Sequence, residues 1–196
     1  GLGYGPAVLL EGKDRRGIDV AFLSRLEVLD ARLHTIRFPR SVRRRIGDTR
    51  PILEATFVLP DGAPITGYAV HFPAPFHPTL MRESAYTTLN ALLAALPEDR
   101  SAFAAGDFNT TREEDETRNM LARWVRPNWE VAHDRCEGCR GTSYYAPTDD
   151  WSFLDMILWR PAGGWRMTGS HLANGIPEQV TGKGTPRRFE LPEGTG

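Results

Sequence analysis

The chain has 196 residues, 40% hydrophobic and 25% charged, which suits one globular domain with a substantial core and leaves little room for a second. Its formal net charge of -1 excludes the global basic field that a dedicated nucleic-acid binder carries. No apolar run reaches the length of a membrane span, so no transmembrane segment is expected, and Gly1 to Pro6 lacks the basic start and apolar core of a signal peptide. The missing initiator Met reads as a chain that begins inside a longer gene product.

In chain order, Ala7 to Leu10 and Gly17 to Arg25 read as strands separated by the charged turn Glu11 to Arg16, and Leu26 to Ile36 continues the β pattern. Arg40 to Arg50 holds five arginines at 40, 43, 44, 45 and 50 and reads as a solvated loop that could also grip phosphates. Ile52 to Leu59 and Ile65 to Phe72 form a hairpin through Pro60-Asp61-Gly62, and Phe72-Pro73-Ala74-Pro75 ends the second strand just after His71. Leu89, Leu92, Leu93 and Leu96 recur at helical spacing, predicting a helix from about Thr79 to Leu96. A short apolar strand from Ala102 then stops at Asp107 and Asn109, which two-residue spacing places on one side. By itself this pair is a turn and a helix cap. Thr111-Arg112-Glu113-Glu114 matches a capping box, predicting a helix from Arg112 to about Trp124 whose positive end lies near Asp107.

Cys136-Glu137-Gly138-Cys139 has too few partners for zinc and too loop-like a setting for a redox motif. It reads as a small disulfide in an exported protein, or as two free thiols in a cytosolic one. Trp151 to Trp159 reads as one apolar strand in which Asp155 needs a partner, because an unpaired buried acid costs several kcal/mol. From Pro161 onward the chain is rich in Gly and Pro, with one short strand candidate at Trp165 to Thr168.

Gly106-Asp107-Phe108-Asn109 resembles the signature of the endonuclease/exonuclease/phosphatase superfamily, the fold of deoxyribonuclease I. Ser24-Arg25, Ala69-Val70-His71-Phe72 and Asp155 stand in the order that resemblance requires, and the likeness spans roughly Ala7 to Trp159. It implies an α/β fold, a four-layered sandwich of two mixed β-sheets flanked by helices, occupying 1–196 as a single domain incomplete at both ends. It implies a magnesium- or manganese-dependent phosphoesterase acting on a phosphate ester, nucleic acid included, with Asp107 activating water, His71 and Asn109 stabilising the phosphoryl group, and Asp155 orienting a histidine. Asp107 and Asn109 are the implied metal ligands, and Arg112 and Tyr144 the implied substrate contacts. A monomer exported from a bacterial cell is expected, with a cytoplasmic protein as the alternative.

Relatives also carry a strand ending in Gln-Glu, whose Glu binds the metal, and a terminal Ser-Asp-His. Neither occurs here, and Gly169-Ser170-His171 follows Asp155 too closely to serve as the latter. The chain as written is therefore expected to catalyse poorly. A non-catalytic scaffold on the same fold, and an unrelated α/β domain, stand as rival readings.

Overall fold

The computed structural model describes residues 2–12, 14, 16–43, 49–162 and 165–172. Its strands are β1 (Val8–Leu9), β2 (Ala21–Phe22), β3 (Val28–His34), β4 (Ile52–Val58), β5 (Pro64–His71), β6 (Ser101–Asp107), β7 (Glu130–Val131), β8 (Ser143–Tyr145), β9 (Asp150–Ser152) and β10 (Asp155–Arg160). The helices are α1 (Arg40–Arg43), α2 (Thr79–Ala94), α3 (Arg112–Arg118) and α4 (Met120–Trp124).

Six strands form one mixed sheet in the order β3-β4-β5-β6-β10-β7, all antiparallel except β5 and β6. The hairpin between β4 and β5 closes as the sequence predicts. Gly62 takes φ 85°, and Leu59 N donates to Ala63 O at 2.8 Å. Since β5 and β6 run parallel, the chain must cross over between them, and α2 supplies that crossover.

Period-two alternation sorts the sheet into two faces. Tyr68, Val70, Ala102, Ala104, Met156 and Leu158 meet Tyr86, Leu89 and Leu93 of α2 in the larger core. The opposite face packs Phe57, Ile65 and Phe103 under Val8 and Phe22 of the β1–β2 ribbon, with Phe22 and Phe57 edge to face at 5.2 Å. That ribbon is the second β layer, and β8–β9 forms a third small sheet.

Several elements differ from their sequence expectations. The helix expected over Arg112 to Trp124 breaks at Asn119, which turns left-handed at φ 53°. Asp115 drives the break, since its backbone O takes Asn119 N at 2.7 Å and its Oδ1 takes Leu121 N at 2.7 Å. Trp151 to Trp159 is two strands, because Leu154 O leaves the ladder to accept Phe108 N at 2.7 Å. Trp165 to Thr168 forms no strand. Gly17 to Arg25 contributes only β2. Within the arginine-rich run, Arg44 and Arg45 lie outside the described residues.

The capping box is half made. Thr111 Oγ1 accepts Glu114 N at 3.1 Å, but the Glu114 carboxylate faces inward, to Arg82. Arg82 is 2% exposed and grips Glu114 with Nε to Oε2 at 2.7 Å and Nη2 to Oε1 at 2.5 Å. Its Nη1 donates to the carbonyls of Pro73, Ala74 and His77 at 3.1, 2.7 and 3.3 Å. Removing one partner strands a buried charge, at a cost of about 3–5 kcal/mol. Glu114→Leu should therefore lower the urea midpoint sharply, and the double variant Arg82→Met/Glu114→Leu should recover part of the loss; equal midpoints for wild type and Glu114→Leu would refute the pairing.

Candidate active site

His71 ends β5, Asp107 ends β6 and Asp155 begins β10, and the sheet register aligns them in a row, His71 beside Asp107 and Asp107 beside Asp155. All three belong to the face opposite α2, because Val70, Ala104 and Met156 occupy the alternate positions. His71 Nε2 lies 3.5 Å from Asp107 Oδ2.

Two left-handed residues bracket the turn that presents Asp107. Gly106 sits at φ 137°, where a Cβ would fall 2.1 Å from Val70 O, so only glycine lets β6 lie this close to β5. Asn109 sits at φ 51°, a conformation Asn tolerates better than most residues. Its backbone N donates to Asp107 Oδ1 at 2.8 Å, and its Nδ2 donates to Phe72 O at 2.9 Å. Asp107 is thereby held by one oxygen while the other faces His71.

Burial pushes the Asp107 carboxyl above its ordinary range and the Asp155 charge adds to this, while the Asn109 N–H and the Arg50 charge act the other way. Burial also holds the His71 imidazole below its ordinary range, with the Arg50 and Arg16 charges in the same direction. A close acid–imidazole pair would ordinarily shift both the other way. At 3.5 Å the contact is too long for a strong hydrogen bond, and burial dominates. His71 is consequently neutral near pH 7.

His71, Asp107 and Asn109 line a cleft of about 380 Å³ together with Asp14, Arg16, Arg50, Phe76 and His77. Asp14 and Arg16 had no role in the sequence expectations, and Arg50 figured there only within a solvated run that could grip phosphates. Arg50 is 5% exposed, not solvated, and its Nε donates to His71 O at 3.3 Å. The available signal was position: Arg50-Pro51 abuts the apolar strand Ile52 to Val58, so this end of the run enters the protein.

Asp155 borders the His71–Asp107 row without lining the cleft, and Arg112 and Tyr144 lie elsewhere. Asp155 opens its strand and is exposed, so it needs no buried partner; its side chain forms no hydrogen bond or ion pair among the described residues. It lines a separate cavity of about 250 Å³ that His171 and Cys136 also line. Arg112 lines another cavity, with Asp115 and His133, and its guanidinium is occupied by Asp150 Oδ1 at 3.0 Å and Arg140 O at 3.1 Å. Tyr144 donates its hydroxyl to Asp149 at 2.7 Å in the β8–β9 ribbon.

Among the described residues no three His, Cys, Asp or Glu side chains gather as a metal site. Asp14 is held by Arg16 and Arg50, and one Asn109 N–H is turned to the backbone. The described donors that could hold a divalent cation are the Asp107 carboxylate, whose Oδ2 carries no N–H donor, and the Asn109 amide oxygen, a one-carboxylate set that would leave the rest of the shell to water and substrate phosphate. No helix among the described residues is long and apolar enough to cross a membrane.

The mixed sheet flanked by helices, together with its likeness to solved structures of that kind, places the molecule among the deoxyribonuclease-I-like α/β folds. The profile of the Endonuclease/Exonuclease/phosphatase family matches residues 3–171, and the chain belongs to that family. Similar solved structures include SmcL, 18% identical, covering 86% of this chain and 65% of its own, with a TM-score of 0.58. TDP2 of D. rerio, complexed with a single-strand DNA product, is 16% identical, with coverages of 85% and 65% and a TM-score of 0.57. The human Nocturnin catalytic domain with a bound sulfate anion is 13% identical, with coverages of 81% and 61% and a TM-score of 0.56. The chain thus spans less than two thirds of each. No curated protein sequence matches it. The family consists largely of hydrolytic phosphoesterases, which generally use divalent metals such as Mg2+.

Two outcomes follow from the site's electrostatics and from the cysteine turn. A carboxyl whose folded pKa is raised stabilises the fold most at low pH and loses that contribution as pH rises through the raised value. Asp107→Asn, neutral throughout, should raise the urea midpoint at pH 7 and leave it unchanged at pH 3; no gain at pH 7 would refute the burial account. Cys136 and Cys139 cross a tight turn with Cα atoms 5.6 Å apart, inside the disulfide range. Thiol titration of unreduced, denatured protein should find none, whereas two free thiols would contradict a bridge.

Proposed function

We propose that the protein hydrolyses phosphodiesters or phosphomonoesters at the His71–Asp107 cleft. The observation that supports this most is the placement of a neutral imidazole N–H donor and a raised-pKa carboxylate side by side at the ends of two parallel strands. Ester hydrolysis needs a base for the attacking water and donors for the phosphoryl oxygens. Asp107 is the base: burial makes its carboxylate a better proton acceptor, and the Asn109 N–H fixes its direction. His71 donates from Nε2 to a non-bridging oxygen, and Asn109 stabilises the same group with what its amide has free. As the P–O bond to the leaving group breaks, its oxygen takes a proton from the histidine that the family's Ser-Asp-His motif supplies and this sequence lacks, with Asp155 orienting that histidine, while Arg112 and Tyr144 contact more distant parts of a long substrate.

Dependence on magnesium or manganese belongs to this proposal by family membership, and export belongs to it on the Cys136–Cys139 pair, together with a monomeric state. The absence from this sequence of the Gln-Glu and Ser-Asp-His motifs favours one other reading, a non-catalytic binding protein on the same fold.

The protein expressed from its whole gene should be assayed with magnesium, and with EDTA in its place, against duplex DNA, RNA, a phospholipid and inositol phosphates, beside Asp107→Ala. At least one substrate should be cleaved in magnesium and not in EDTA, with Asp107→Ala slower by about a hundred- to ten-thousand-fold. Cleavage of none, or an equally fast variant, would put the binding-protein reading first. Activity should fall as pH drops through the raised Asp107 value, and so at higher pH than an ordinary carboxylate would give.

A further inference from the structure

Among the described residues, the cleft holds a cationic group with one buried nitrogen left unpaired. Arg50 is 5% exposed, and its Nη1 is a buried nitrogen with no hydrogen-bond partner among the described residues. The carboxylate nearest to it, Asp14 Oδ2, is 3.7 Å from Nη1, which is ion-pair range and beyond a hydrogen bond. Asp14 is also shared, because Arg16 Nε stands 3.6 Å from its Oδ1 and Arg16 N adds a hydrogen bond to the same oxygen at 2.8 Å. Burial works to raise the Asp14 pKa, but the Arg16 N–H and the Arg50 and Arg16 charges outweigh it and hold the carboxyl low. Asp14 therefore remains charged while neutralising two guanidiniums incompletely.

Buried guanidinium N–H groups are expensive to leave unmade, and buried polar groups in folded proteins almost always have a partner. The Arg50 Nε is anchored on His71 O, so its fork is fixed relative to the proposed chemistry. Arg16, 64% exposed at its side chain, lines the same cleft and can swing. A planar fork of N–H donors fits a tetrahedral oxyanion bidentately, and phosphate binding by arginine rests on that match.

We propose that Arg50, assisted by Arg16, forms a phosphate subsite of this cleft, with Asp14 as the internal carboxylate that occupies the guanidiniums until a phosphate displaces it. This rests on the hydrolase reading for the identity of the anion but not for its binding. The ligand is a phosphate oxyanion, whether from a nucleotide chain or from a lipid headgroup.

The test measures binding in EDTA, so that turnover plays no part, by calorimetric titration of the whole protein with inorganic phosphate, a short single-stranded oligodeoxynucleotide and phosphocholine. Arg50→Lys keeps the charge but loses the fork and should weaken phosphate binding about ten- to a hundredfold. Arg16→Gln should weaken it about threefold, at an unchanged urea midpoint, since an exposed charge contributes less. Asp14→Asn is the discriminating variant. If Asp14 competes with the ligand, its removal tightens phosphate binding by at least about threefold, whereas a purely structural Asp14–Arg50 contact predicts no tightening. Tightening in Asp14→Asn and loss in Arg16→Gln support the subsite even if Arg50→Lys fails to fold. Wild-type protein that binds none of the three probes, or an Asp14→Asn variant that binds phosphate no tighter, overturns it. Among the probes, the tightest binder identifies the source of the phosphate. Phosphate binding of this pattern without any hydrolysis would sink the enzyme reading alone, and hydrolysis with an unaltered Asp14→Asn affinity would sink the subsite alone.

Discussion

The buried pair of Arg82 and Glu114 sets the geometry on which the cleft depends. One guanidinium joins the helix that crosses over between the parallel strands to the helix that follows Asp107, and it also collects three carbonyls of the loop after His71. Thr79 adds its hydroxyl to the same carboxylate at 2.6 Å, so the first turn of α2 is tied in as well. A loop with Pro73, Pro75 and Pro78 has few backbone N–H groups of its own to make turns with, and its shape has to come from a donor elsewhere. Arg82 is that donor. The cleft wall formed by Pro73, Ala74, Phe76 and His77 is thus set from inside the protein.

The strand ends are fastened in a second way. Phe72 N donates to Asp107 O at 2.8 Å, Asn109 returns a bond to Phe72 O, and Phe108 N reaches Leu154 O. Three segments distant in sequence are thereby locked just past their last ladder bonds, where sheets ordinarily fray. Beneath them Tyr86 and Phe108 stack while Phe72 meets both edge to face, with centroids 5.1 to 5.9 Å apart. A site on rigid element ends keeps the precision that a loop-borne site loses.

Much of this was legible in the sequence. Alternation and the Asp61-Gly62 turn located β4 and β5, leucine spacing located α2, and the ordered motifs located His71 and Asp107. What escaped was decided by long-range contacts. Asn119 breaks a helix that propensity would continue, because Asp115 caps the next one. Glu114 looks like a capping residue until Arg82, 32 positions away, claims it. Arg50 belongs to a run that charge alone would leave in solvent, and only the sheet beside it shows that the last arginine turns inward. Asp155 was expected inside an apolar strand, or open to water once its histidine is missing; the strand begins at Asp155 itself, so it stands at the surface.

The parallel pairing of β5 with β6 has a kinetic meaning. His71 and Asp107 become neighbours only after the chain has closed the whole excursion through α2, so no local hairpin or helix brings them together. Contacts of such sequence separation form late, since loop-closure entropy must be met before they yield any stabilisation. The β4–β5 hairpin and α2 can form earlier, through local interactions. During refolding, far-UV circular dichroism will recover ahead of the cleft, and any signal that depends on His71 beside Asp107 marks the completion of the crossover.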